Sequence, residues 1–260
     1  MEQEVYDRQN LLYAVESGNI NRIKRILSTG IISPDRFYWD NHSLLGIAIK
    51  AGNYQVLKTL VDYGADLSLA TPKERGIAIS LCILNNDAQL MLKLVRQEDT
   101  DINAPDSLDR TPLSYAIDRD NAKVVKFLLK NGAKTDTWTN LECAIMSGKF
   151  EAGRALIASG EEINQSVVYW TLVKANLRTK AGNLVKKEKL YEYLVDKFAL
   201  KAETSRDKEV YDFNYSALFH HDPFFEADEG EEFFKYLVSA LEKRASKEKD
   251  NIETETSQNS

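Results

Sequence analysis

The sequence predicts an all-α solenoid of tandem helix–turn–helix units, and three observations predict it. A small residue recurs at Ala14, Ala48, Cys82 and Ala116 in steps of 34, and again at Ala144 after a step of 28. Around it the same columns are apolar in every unit. Leu11, Leu45, Ile79, Leu113 and Leu141 stand three residues before it, and Val15, Ile49, Ile83, Ile117 and Ile145 one residue after. Further along, Ile23, Ile26 and Leu27 are matched by Leu57, Leu60 and Val61, by Met91, Leu94 and Val95, and by Val125, Leu128 and Leu129. That i, i+3, i+4 spacing is the apolar stripe of an amphipathic helix.

Each unit therefore reads as a short helix centred on the small residue, a tight turn, a longer helix and an extended connection. Gly18, Gly52 and Gly148 mark the turn, and Asn86 and Asp120 replace the glycine in units three and four. The second helix ends at Gly30, Gly64, Gly132 or Gly160, a residue suited to the left-handed conformation that closes helices. Glu98 takes that place in the third unit, and the shortened step into the fifth predicts a truncated hairpin around Asp136 to Thr139. Thr111 before Pro112 is a helix start, since Thr can satisfy an unpaired N–H and Pro needs none in the first turn. Leu44 and Ala78 stand where the second and third units would carry that proline.

The residues DRTPLSYAIDRDNAKVVKFLLKNGA (109–133), with TPL at Thr111 to Leu113, and the GAD of Gly64 to Asp66 make the chain resemble the ankyrin-repeat family. The resemblance covers five repeats in residues 1–165. Residues 166–200 hold two further helical stretches, expected to form a degenerate sixth repeat that caps the stack, because a solenoid exposes an apolar face at each end. Residues 201–244 form an aromatic-rich segment ending in a helix with Phe234, Leu237, Val238 and Leu241 on one face. Phe219, Phe224, Phe225 and that face are expected to cover the end of the stack left open after Leu194 and Phe198. Residues 245–260 are polar and expected to be a disordered tail.

Composition narrows the function. Over 260 residues, 43% are hydrophobic and 28% charged, an ordinary globular balance that excludes fibrous and wholly disordered chains. A net charge of −6 gives no bulk attraction to nucleic acid or anionic membrane. The N-terminus has neither a basic n-region nor an apolar h-region, so a reducing cytoplasm is the expected location. Two cysteines make no disulfide framework, and Cys82 and Cys143 both fall in columns read as core. His42, His220 and His221 complete no metal-ligand or nucleophile–base set, and no phosphate-binding glycine loop occurs. No cofactor, metal or catalytic residue is expected.

The resemblance implies a non-catalytic protein-binding module, an adaptor or inhibitor that is a monomer when free and holds a protein partner on its concave face and hairpin tips. Carried over by position, the tip sites are Trp39, Asp40 and His42, then Lys73 and Glu74, then Ser107, Leu108 and Arg110, and Trp138. The short-helix ends add Lys50, Leu84, Asn85, Asp118, Arg119 and Met146. The competing reading is a pathogen or viral effector whose activity or peptide motif lies in residues 201–244, with the repeats as targeting module.

Overall fold

The computed structural model describes residues 2–35, 37–38, 42–136, 141–174, 187–198, 200 and 227–258. The chain divides into two compact units, Met1–Tyr115 with Leu128–Lys134, and Ala116–Phe127 with Thr135–Ser260. Both are all-α. The expected aromatic cap residues Phe219, Phe224 and Phe225 lie outside the described residues, as do Thr137 to Asn140 of the shortened fifth hairpin.

The first unit is built from helix pairs. They are α1 (Glu2–Glu16) with α2 (Ile20–Leu27), α3 (Leu44–Lys50) with α4 (Tyr54–Asp62), and α5 (Pro72–Leu84) with α6 (Ala88–Val95). A two-residue antiparallel ladder, β1 (Phe37–Tyr38) with β2 (His42–Ser43), forms the connection ahead of α3. The first helices pack in sequence, α1 on α3 and α3 on α5, and α2 packs on α4. Leu11, Ala14, Leu45, Ala48, Ile79 and Cys82 are at most 1% exposed. The small residue of each unit thus lies in the packed core.

One turn serves every unit. The amide of the residue after the turn glycine, or after the Asn or Asp that replaces it, returns to the carbonyl of the small residue, as in Asn19 to Ala14, Asn53 to Ala48, Asp87 to Cys82, Asn121 to Ala116 and Lys149 to Ala144. Closing it requires positive φ, observed at Gly18 (69°), Gly52 (65°) and Gly148 (68°) and equally at Asn86 (55°) and Asp120 (51°). Asn and Asp tolerate this region better than other side chains, so the turns of units three and four keep the shape without glycine. Asn19, Asn53 and Asp87 then cap the second helices, accepting from Arg22, Val56 and Leu90 amides at 3.0, 3.1 and 2.9 Å.

The third unit departs from its register. Its first helix starts at Pro72, well before the expected position, because Thr71 and Glu74 form a capping box. The Glu74 amide donates to Thr71 Oγ1 at 3.2 Å, and the Thr71 amide to Glu74 Oε2 at 2.9 Å. Arg75 in the added turn is buried. Its guanidinium donates to the Ala70 and Glu98 carbonyls and to Thr100 Oγ1, holding the connection that lacks its glycine. The left-handed residue there is Asp99, φ 58°, one place later than expected.

The division passes through α7 (Pro112–Asp118) and α8 (Ala122–Lys130). The second unit continues with α9 (Leu141–Met146), α10 (Phe150–Ser159), α11 (Gln165–Lys174), α12 (Lys187–Phe198) and α13 (Ala227–Gln258). Lys149 gives α10 no side-chain cap, and Asp120 from the preceding repeat supplies one by accepting the Ala152 amide at 2.7 Å.

The C-terminal helix corrects two expectations. It docks on α10 and α11, taking the place that α4 holds against α2 and α3, so a segment remote in sequence supplies the second helix of the sixth pair. Helix α12 packs on α11 beside it. The buried face is Phe233, Leu237 and Leu241, with Phe234 and Val238 only half-buried. Phe233 stacks on Phe150 at a centroid separation of 5.2 Å, and Arg244 donates to the Glu161 carbonyl at 2.6 Å. The helix also runs on to Gln258, through residues 245–258 expected as a tail. Lys and Glu are good helix formers, and a helix nucleated by a docked segment extends at one hydrogen bond per residue.

Candidate protein-binding site

In the first unit the connection ahead of α7 projects as a braced hairpin. Asp106 is its hub, with Oδ1 accepting the amides of Leu108 at 2.8 Å and Arg110 at 3.1 Å. Its Oδ2 accepts the Tyr115 hydroxyl at 2.5 Å. The Asp106 amide donates to the Arg110 carbonyl at 3.0 Å, and Asp109 takes φ 56° at the bend. The Arg110 guanidinium lies over the Tyr115 ring, 4.2 Å from its centroid, so a long flexible side chain is held flat. Leu108 stands at the tip, 71% exposed, with Ser107 exposed beside it.

Burial pushes the Asp106 carboxyl up, but the Tyr115 hydroxyl, the Arg110 and Leu108 amides and the Arg110 charge outweigh it and leave its pKa below the ordinary value. A depressed carboxylate contributes stability that is present above its unfolded pKa of ~3.9 and lost as pH falls through the folded one. The wild-type chain is therefore expected to melt above an Asp106→Asn variant at neutral pH. The gap should close as pH drops below about 4, where the protonated acid resembles the amide. Thermal melts of the two proteins across pH check this, and a gap independent of pH contradicts it.

The other expected contact residues fall in three groups. Lys50 at the end of α3 and Asn85 after α5 are exposed, and Leu84 is half-buried. Lys73 and Glu74 are not hairpin tips, because the capping box places both in the first turn of α5. Lys73 is exposed there, whereas Glu74 is buried and lies 3.6 Å from Lys50 Nζ. In the second unit Asp118 and Arg119 are exposed at the end of α7, and Met146 is 40% exposed at the end of α9. Trp39, Asp40 and Trp138 lie outside the described residues, and of His42 only the backbone, in β2, is described.

The column read as core around Cys143 is instead half-open, taken unit by unit. Cys143 is half-buried, Ile47 and Leu81 are half-buried on the adjacent helices α3 and α5, and Tyr13 is 62% exposed. Tyr115 alone in this column is buried, by its bond to Asp106. Ile47, Leu81 and Tyr13 thus add apolar surface to the first-helix side of the unit. Cys82 remains core, and burial first, then Asp87, pushes its thiol up to about 12, so it is protonated at neutral pH. Among the described residues no group of three or more His, Cys, Asp or Glu could hold a metal ion. No helix among them is long and apolar enough to cross a membrane.

Repeated helix pairs, one shared turn and projecting connections define a repeat protein. Residues 79–167 match the family model "Ankyrin repeats (3 copies)", so that stretch is built of ankyrin repeats. It is 28% identical over 105 residues to the I-Kappa-B like protein C2 of Microplitis demolitor bracovirus (isolate Webb), covering 40% of this chain and 58% of that protein. It is also 28% identical over 155 residues to an ankyrin repeat protein of Fowlpox virus (strain NVSL), covering 58% of this chain and 35% of that one. The chain thus spans less than two thirds of the length of either relative. The solved ankyrin repeat domain of Bcl-3 superposes with a TM-score of 0.37 at 17% identity, covering 67% of this chain and 91% of that one. Nothing about function follows from so loose a superposition.

Proposed function

We propose that the chain is a non-catalytic adaptor or inhibitor that captures a protein partner through the hairpin of Ser107 to Arg110 and the first-helix ends of its first unit. The observation that carries this reading is Leu108. A large apolar side chain 71% exposed on a hairpin fixed by five hydrogen bonds and a stacked guanidinium is cheap to bind, because little conformational entropy remains to be lost. Arg110 beside it is of the residue class that dominates interface energetics. Lys50, Leu84 and Asn85 widen the surface, and Asp118, Arg119 and Met146 supply a further set on the second unit. The protein acts as a monomer when free, in a reducing cytoplasm, with no nucleic acid, membrane or cofactor required.

The effector reading places the activity in residues 201–244. Against it, Phe233, Leu237 and Leu241 of that stretch are buried in the second unit and are not available as a partner motif. The test is affinity purification from the protein's own cells with wild type and a Leu108→Ala, Arg110→Ala double variant. The variant is expected to weaken binding of the principal co-purifying protein by about 1–3 kcal/mol per hot-spot residue while melting within a few degrees of wild type. Undiminished binding would exclude the hairpin as the site.

A further inference from the structure

The second helices of the first unit carry cations with almost no acids among them. Helix α2 holds Arg22, Lys24 and Arg25, α4 holds Lys58, and α6 holds Lys93 with Arg96 as its C-cap. The one acid within these three helices, Asp62, is neutralised by Lys58 at 2.8 Å. This is a segregation, since the whole chain has 40 acidic against 34 basic residues. Other acids of the unit sit in its connections, at Asp66, Glu98, Asp99 and Asp101, all exposed, and Asp87, the N-cap of α6, lies 3.9 Å from Lys58 Nζ.

The row is contiguous. Helix α2 packs on α4, and Tyr54 of α4 donates to Asp87, the N-cap of α6, at 2.8 Å. Lys24 and Lys58 occupy the same repeat position, as do Arg25 and Lys93. Lys24, Arg25, Lys93 and Arg96 are exposed, and none of the four has an ion pair among the described residues. Lys24 and Arg25 repel each other on α2, as do Lys93 and Arg96 on α6, a cost that a complementary anion would remove.

We propose that this row is a second docking surface, separate from the hairpin site, for an extended acidic segment of a protein partner. Three helices at interaxial distances of ~8–10 Å span ~20 Å, which about six residues of extended chain cross. Alternate side chains of such a chain face the row. The width of the row favours a single chain. Glu98 and Asp99 follow Arg96 within three residues, so a bilayer or a duplex, charged well beyond one row, would be pressed against those acids. Charge is screened over ~8 Å at physiological ionic strength, so a narrow acidic strand senses the cations with little opposition from the connections.

The test is fluorescence anisotropy of the full chain with a labelled peptide of about ten residues alternating Glu and Ser. Two variants replace Lys24, Arg25, Lys93 and Arg96 together, one with Glu and one with Gln. Both keep helix formers at exposed positions, and circular dichroism verifies their fold. Wild type is expected to bind saturably, with affinity falling about tenfold between low and moderately high salt, about tenfold in the Gln variant and beyond detection in the Glu variant. Leu108 and Arg110 are intact in both, so failure here leaves the hairpin site untouched. Absent or non-saturable binding by wild type, equal binding by the variants, or tighter binding of phosphatidylserine vesicles or of a duplex of about 20 base pairs overturns the proposal.

Discussion

Replacing Phe233 by Ala is expected to destabilise the second unit by about 3–5 kcal/mol, the range for deleting a fully buried ring. Phe233 is 0% exposed, stacks on Phe150, and reaches α10 because Gly153 leaves room for it. A Cβ on Gly153 would stand 3.0 Å from Phe233 Cε2, so the surroundings are already closed and have little slack to collapse into the void. The loss should appear in chemical denaturation as a lower midpoint. Phe234→Ala, on the half-buried side of the same helix, should cost much less. Equal effects at the two positions would mean that α13 presents a different face to α10 and α11.

Gly76→Ala is expected to destabilise the first unit by about 3 kcal/mol or more, against the usual sign of the change. In an exposed helix this substitution stabilises by ~1 kcal/mol, since alanine has less backbone freedom to lose. Here the added Cβ would stand 1.9 Å from the Asp101 carbonyl oxygen and 2.7 Å from Ala104 Cβ. The obstacle is backbone that cannot swing away, because the Asp101 amide donates to the Pro72 carbonyl at 3.1 Å and the Ala104 amide to the Asp101 carbonyl at 3.0 Å. A neutral or stabilising result in denaturant titrations would show that α5 and the following connection are not packed together.

What could be read from the residues was what repeats. The small-residue column, the apolar stripes and the terminal glycines recur because every unit solves the same packing problem, and the helices follow them. Asn86 and Asp120 looked like departures only because a column of glycines hides the requirement beneath it, which is positive φ and not the absence of a side chain. The third unit was misplaced because its helix start is set by local capping chemistry at Thr71 and Glu74, which ignores the 34-residue register.

Alignment by period also cannot show which helix pairs with which across a long insertion, so the docking of α13 on α10 and α11 was hidden. Leu237 and Leu241 were legible as its buried face, but Phe234 was read in place of Phe233, because either fits a helical stripe with them. Of the site, the exposed tip at Leu108 was legible from position. The brace was not, since Asp106 and Tyr115 belong to different columns and meet only when the hairpin closes. Nor was the surface of Tyr13, Ile47 and Leu81, whose apolar character reads as core in the absence of any burial information.

Hydrogen exchange measured by mass spectrometry, on the free chain and on its complex with the principal co-purifying protein, tests the central claim of a hairpin-and-helix-end binding surface. Amides at Ser107 to Arg110 and at Leu84 to Asn86 should exchange markedly more slowly in the complex, while those of α13 keep the rates they have in the free protein. Protection confined to residues 201–244, with the hairpin exchanging as fast as before, would contradict it.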